Sequence, residues 1–167
     1  MRSLANSRAP LILEVFMKTD KMQNTAITSF RGKYAFLSNF YEALIEYNGL
    51  RFRNNEAAFQ AMKNPREAYR FTGLSAKEAK SLGKKVHLRQ DWEDAKVRIM
   101  YEICLAKFSQ HPKLKERLLA TDNSFLEEGN DWGDIEWGVC NGYGKNRLGK
   151  ILMLVRRDLQ LQQVGRT

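Results

Sequence analysis

The chain has 167 residues, 43% of them hydrophobic and 28% charged, which is enough for one globular domain with a real core. It contains no apolar run long enough to span a membrane. Lys and Arg number 28 against 19 Asp and Glu, a net charge of +9 that suits anionic partners such as nucleotides, phosphosugars or nucleic acid, although no block of like charges marks a dedicated nucleic-acid tail.

Residues 1–24 mix polar and apolar side chains without a period and are expected to form a flexible tail or an extension ahead of the domain. Within them "PLILEVFM" at 10–17 is interrupted by Glu14 and has no clean cleavage site after it, so no secretion signal is expected. "ITSFRGKYAFLSNFY" (27–41) is aromatic and β-branched with a polar turn at Arg31 to Lys33, which predicts a short strand and then a loop. "ALIEYNGLRFRN" (43–54) predicts a hairpin, because Asn48-Gly49 supplies the positive φ angles of a type I′ turn. A helix follows from Asn54 or Asn55, either of which can cap it, and ends at Asn64-Pro65.

"SAKEAKSLGKK" (75–85) predicts a second helix, with Ser75 and Glu78 as a capping box and Gly83 as a left-handed stop. The longest helix starts at Asp91. Trp92, Ala95, Ile99, Ile103 and Ala106 form its apolar stripe, and Met100, Cys104 and Phe108 lie beside it. Pro112 closes that region before a shorter helix at about 114–120. The last helix starts near Arg147 and buries Leu148, Ile151, Leu152, Val155 and Leu159. Five or six helices with a few short strands predict a helix-rich α+β domain over residues 25–162, with 163–167 as a C-terminal tail.

Three segments carry candidate chemistry. In "GKYAFLSNFY" (32–41), Ser38 and Asn39 sit between Phe36, Leu37, Phe40 and Tyr41. They serve either the turns of an aromatic-clamped loop or a pocket that hydrogen-bonds a base or ribose. In "NNEAAFQAMKN" (54–64), Glu56, Gln60 and Lys63 are spaced four and then three apart and share one helical face, which is either a solvated stripe or the floor of a site. "NDWGDIEWGVCNGYGKNRLGK" (130–150) holds glycines, two tryptophans and three carboxylates ahead of a helix, a costly composition for a loop with no role. Cys104, Cys140, His87 and His111 show no metal-ligand spacing, so no metal and no cofactor is expected, and two free thiols fit a reducing cytoplasm.

The chain resembles the NADAR, or YbiA-like, family. The matching signatures are "GKYAFLSNFY", "NNEAAFQAMK", "AKEAKSLGKKVHLRQDWEDAKVRIM", "AKFSQHPKLKERLLAT" and "WGVCNGYGKNRLGKILMLVR", in order from about Phe30 to Arg157. The resemblance implies a single YbiA-like domain and an N-glycosidase. Its substrate class would be phosphoribosylated heterocycles, namely early riboflavin-pathway intermediates. The implied alternatives are removal of ADP-ribose from guanine in DNA, or non-catalytic binding of ADP-ribose or a nucleotide. The partners implied are accordingly a small phosphorylated ribosyl-heterocycle or an ADP-ribose-containing substrate, with ADP-ribosylated DNA as a further candidate. In the family pattern Glu56, Gln60 and Lys63 fall on the E-x-x-F-Q-x-x-K helix, and Ala57 stands where some relatives have histidine.

Glycosidic cleavage builds positive charge on the sugar, so the resemblance casts Glu56 and Asp131 as the catalytic carboxylates. It casts Lys63 as a phosphate clamp, a proton donor to the departing base, or a Schiff-base nucleophile. Trp132 and Phe40 would stack on the base, while Asn146 and Lys145 would hold phosphate at the start of the last helix. Ser38, Asn39, Gln60, Trp92 and Gly133 complete the implied substrate-binding set. Glu56, Ser38, Asn39, Asp131, Trp132 and Asn146 are expected to meet in one cleft.

Overall fold

A computed structural model describes residues 25–165. The tail expected at 1–24 and the last two residues lie outside the described residues. The hairpin is formed by β1 (Glu42–Tyr47) and β2 (Leu50–Asn54), antiparallel, with Ile45 opposite Phe52 and Tyr47 opposite Leu50. Asn48 (φ 49°) and Gly49 (φ 76°) take the two left-handed turn positions that the sequence requires of them. Ile45 and Phe52 point inward and are fully buried.

β2 runs directly into α1 (Asn55–Ala61). Asn54 caps it, its Oδ1 accepting from the Ala57 N–H at 2.8 Å. α2 (Ala76–Gly83) starts with the predicted capping box, Ser75 and Glu78 satisfying each other's backbone N–H. α3 (Trp92–Gln110) is the central helix and touches α1, β1, α4 (Pro112–Leu119) and α5 (Arg147–Val164). The predicted stripes of α3 and α5 are buried, apart from Ala106, which is half-buried. α5 continues to Val164, two residues beyond the expected boundary of the domain. Two residue pairs, β3 (Gly129–Asn130) and β4 (Val139–Cys140), form a short parallel ladder that staples the long loop before α5. The result is the expected helix-rich α+β domain. Among the described residues no helix is long and apolar enough to cross a membrane.

Two local expectations are corrected, and one buried lysine is added. The stretch 27–41 contributes only an isolated bridge, Ile27 to Leu126, and then a 3-10 helix over Gly32–Leu37, which buries Phe36 and Leu37 on one side as an extended loop would not. Gly83 is not a left-handed stop. It is the last residue of α2, and it lacks a side chain because a Cβ there would overlap the Gln60 amide of α1. Lys107, passed over in the sequence, is only 1% exposed within the core face of α3. Its ammonium donates to the carbonyls of Phe36 (2.6 Å) and Ser38 (3.0 Å) and lies over the Tyr41 and Phe108 rings at 5.2 and 5.3 Å.

Candidate functional site

A cleft of about 650 Å³ opens between α1, α2, the 38–40 segment and the loop that precedes α5. α1 forms its floor. All seven residues of that helix are buried, so the stripe containing Glu56 and Gln60 is no solvated face. Alanines at 57, 58 and 61 let α1 pack tightly on its neighbours, and Glu56 is left against the cleft.

The position of Glu56 is set twice. Its backbone N–H donates to the Asn39 carbonyl at 3.1 Å, and its Oε1 accepts from Gln60 Nε2 at 2.8 Å. Burial pushes its carboxyl pKa up, while the Gln60 hydrogen bond and the charges of Lys80 and Lys63 pull it down and Asp134 raises it further. Asn39 is locked by Asn55, whose Nδ2 donates to its Oδ1 at 3.3 Å, and by its own contact with Met100 Sδ. Ser38 Oγ accepts from the Phe40 N–H at 3.1 Å, fixing the turn that carries both residues to the cleft wall.

Of the residues expected there, the cleft gathers Ser38, Asn39, Phe40, Glu56, Gln60 and Trp132. Trp132 is 54% exposed and stands at the rim, with the Arg31 guanidinium 5.6 Å from its ring centre. Five others lie elsewhere. The Asp131 side chain is 83% exposed and pairs with Arg31 at 3.5 Å, in a shallow polar depression outside the cleft. Asn146 is buried as a brace: its Nδ2 donates to the Leu126 carbonyl (2.9 Å) and its Oδ1 accepts from the Glu128 N–H (3.0 Å). Lys145 pairs with Glu136 at 2.6 Å on the exterior. Trp92 is buried against Phe59, ring centres 5.0 Å apart, beneath the cleft. Gly133 makes an exposed left-handed turn.

Lys63 also stands back from the cleft wall. Its ammonium is 3.4 Å from the Gly83 carbonyl and 6.0 Å from the centre of the Trp92 ring. Burial lowers its pKa, and the Glu56 carboxylate opposes that shift.

The structure adds residues that the sequence motifs did not single out. Trp137 packs edge-on against Phe59 at 5.1 Å and supplies the aromatic wall that Trp92 does not. Lys77 and Lys80 of α2 and Lys84, the residue that caps its C-terminal end, line one side, three and four residues apart and therefore on one face. Glu128 and Asp134 line the opposite loop. The lysine spacing was readable. So was Glu128, two positions after the buried Leu126 in extended chain, where alternate residues share a side.

A buried carboxylate below an aromatic, cation-rimmed cleft marks the candidate active site of a small α+β enzyme domain. The chain belongs to the NADAR family, whose NADAR domain model matches residues 15–160 and so begins inside the stretch expected to be a tail. It is 36% identical over 152 residues to the N-glycosidase YbiA of Shigella flexneri serotype 5b, covering 85% of this chain and 93% of that protein. The Escherichia coli K12 N-glycosidase YbiA is 35% identical over the same length and coverage. The riboflavin biosynthesis protein VVA0006 of Vibrio vulnificus is 35% identical over 133 residues, which is 76% of this chain and 36% of that protein. The NMR structure of Escherichia coli YbiA superposes with a TM-score of 0.77 at 34% identity, over 86% of this chain and 89% of that one.

Proposed function

We propose that this N-glycosyl hydrolase acts on a phosphoribosylated heterocycle of the kind formed early in riboflavin biosynthesis. The observation that carries the reading is the disposition of the cleft. Glu56 lies at its floor, Phe40, Trp132 and Trp137 are aromatic surfaces on its walls, and Lys77, Lys80 and Lys84 run along one side. A planar heterocycle suits the aromatic rings, a phosphate suits the lysines, and the ribose between them brings C1′ over the carboxylate.

Breaking the C1′–N bond leaves positive charge on the ribose. An ionised Glu56 stabilises that charge and takes a proton from the attacking water. Gln60 occupies Oε1, so Oε2 is the oxygen left for this work. Lys63, behind the wall, helps to keep Glu56 ionised.

The test is incubation of the purified protein with phosphoribosylaminopyrimidines, ADP-ribose, NAD and ADP-ribosylated DNA, with chromatography of the released base and sugar. Release of free pyrimidine and ribose 5-phosphate is expected. Turnover of the ADP-ribosylated DNA alone would replace this substrate assignment with the other.

A further inference from the structure

Glu128 is a cleft carboxylate to which the hydrolytic reading has given no role. Its backbone is fixed on both sides: the N–H donates to Asn146 Oδ1 at 3.0 Å, and the carbonyl accepts from the Val139 N–H at 2.8 Å. Gly138 packs so closely that a Cβ there would overlap the Glu128 carbonyl and press on its side chain. Glu128 lines the same cleft as Glu56, from the opposite wall, and its Oε2 is buried without a hydrogen-bond partner. A buried, unpartnered carboxylate oxygen is costly when charged, so the site favours the neutral acid form of Glu128.

We propose that Glu128 is the general acid of the reaction, donating its proton to the nitrogen that leaves C1′. This rests on the hydrolytic reading above. As the C1′–N bond breaks, its electron pair goes to the nitrogen and the Glu128 carboxyl O–H supplies the proton. The water oxygen bonds to C1′ and gives its own proton to the Glu56 carboxylate. The amine heterocycle and ribose 5-phosphate leave, and proton exchange with solvent returns Glu128 to its acid form and Glu56 to its base form. An amine is a poor leaving group unless protonated, so this substrate class needs such a donor.

The surroundings fit the division of labour. Burial, with Asp134 adding to it, pushes the Glu128 pKa up to about 7, while Arg31 acts against the shift. Glu56 from α1, Lys77 and Lys80 from α2, and Lys84 just past its end are the other charged groups of the cleft. Asp134 also raises the pKa of Glu56, so it lies within electrostatic reach of both carboxylates, but only Glu56 has a hydrogen-bond donor at its carboxylate. Burial raises the pKa of both carboxyls, and the donor from Gln60 with the charges of Lys80 and Lys63 favours the ionised form at Glu56 alone, the asymmetry that an acid–base pair needs.

The experiment compares wild type with Glu128→Gln on a phosphoribosylaminopyrimidine and on 4-nitrophenyl riboside 5-phosphate, whose leaving group departs unprotonated. The variant is expected to lose about 10²–10⁴-fold in kcat on the amine substrate and under tenfold on the nitrophenyl one. It should also lose the alkaline fall in kcat/KM that wild type shows near pH 7. Its Tm at pH 8 should equal or exceed that of wild type, because wild type alone gives up stability as pH rises from the ordinary carboxyl range to about 7.

Equal losses on both substrates, or an unchanged pH profile, would overturn the assignment. Carbon-13 NMR titration of the wild-type Glu128 carboxyl needs no variant, and titration near the ordinary value of 4.5 would also overturn it. Wild type inert on both substrates would instead overturn the hydrolytic reading itself.

Discussion

Gln60 donates through Nε2 to Glu56 Oε1 at 2.8 Å, one helical turn apart on a helix with no exposed face. The contact links two buried residues, so it is worth more than the few tenths of a kcal/mol of an exposed i,i+4 pair. It also favours the ionised form of a carboxyl that burial drives toward neutrality.

Gln60→Leu removes that donor and keeps the approximate volume. The Glu56 pKa then rises, and the acidic limb of kcat/KM moves to higher pH. Activity is therefore expected to fall more steeply on the acidic side of the profile than at pH 8, where either protein's Glu56 is closer to fully ionised. A pH profile that does not move would show that Gln60 has no hold on Glu56.

Gly83→Ala is expected to damage catalysis more than its size suggests. The added methyl overlaps the Gln60 amide, which must leave Glu56 to make room. Overpacking of this kind costs about 1–3 kcal/mol. The expected result is a Tm lowered by several degrees together with the acidic-limb displacement of Gln60→Leu. A lowered Tm with an unmoved pH profile would confine the role of Gly83 to packing.

Asp131→Asn and Asn146→Ala separate the residues that the fold keeps out of the cleft. Asp131 is exposed and paired only with exposed Arg31, so its substitution should leave kcat within about threefold and Tm within about a degree. Asn146→Ala strips partners from the Leu126 carbonyl and the Glu128 N–H, and each buried group left unpaired costs about 1–3 kcal/mol. Circular dichroism melts of both variants check the contrast. A strongly impaired but fully folded Asp131→Asn would return that residue to the site.

Lys107 makes stability depend on alkaline pH. Burial lowers its pKa from 10.5 to about 8. Between those values the unfolded chain binds more protons than the folded one, so this residue's contribution to stability rises with pH from about 8 to about 10.5 and is flat below 8. The full rise is roughly 3 kcal/mol, from about 1.36 kcal/mol for each pH unit between the two values. Lys107→Met should lack that rise in urea titrations at pH 7.5 and 9.5. It should also loosen the 36–38 segment, read as faster amide exchange at Ser38 and Asn39, because the carbonyls of Phe36 and Ser38 lose their donor. Parallel pH dependences in the two proteins would contradict this account.

Local signals carried the elements and half of the cleft. Asn48-Gly49, the Ser75–Glu78 box and the apolar stripes of α3 and α5 each announce themselves within one or two turns of chain. Glu56 and Gln60 were placed together because helical spacing is rigid. Asp131 is expected in the cleft and Asp134 stands there instead, because the path of the glycine-rich loop after Asn130 has no fixed period that assigns its acids to a side. Lys107 stood three and four residues from Cys104 and Ile103, on the core face, but its residue type argued for solvent and only two distant carbonyls overrule that. Trp92 was legible as core from its stripe, and its assignment to substrate came from the resemblance alone.

Every residue of the seven-residue α1 is buried, and the one side that packs against no neighbour forms the cleft floor. A lineage retuning this domain toward a new substrate therefore finds that each change on the helix that holds Glu56 demands repacking of its neighbours. The rim is different: Trp132, Lys77, Lys80 and Phe40 are exposed and can be exchanged at little cost to folding. What the enzyme does to a bond and which molecule it accepts are thus open to change at unequal rates. Diversification within this scaffold is steered toward new ligands for an old reaction.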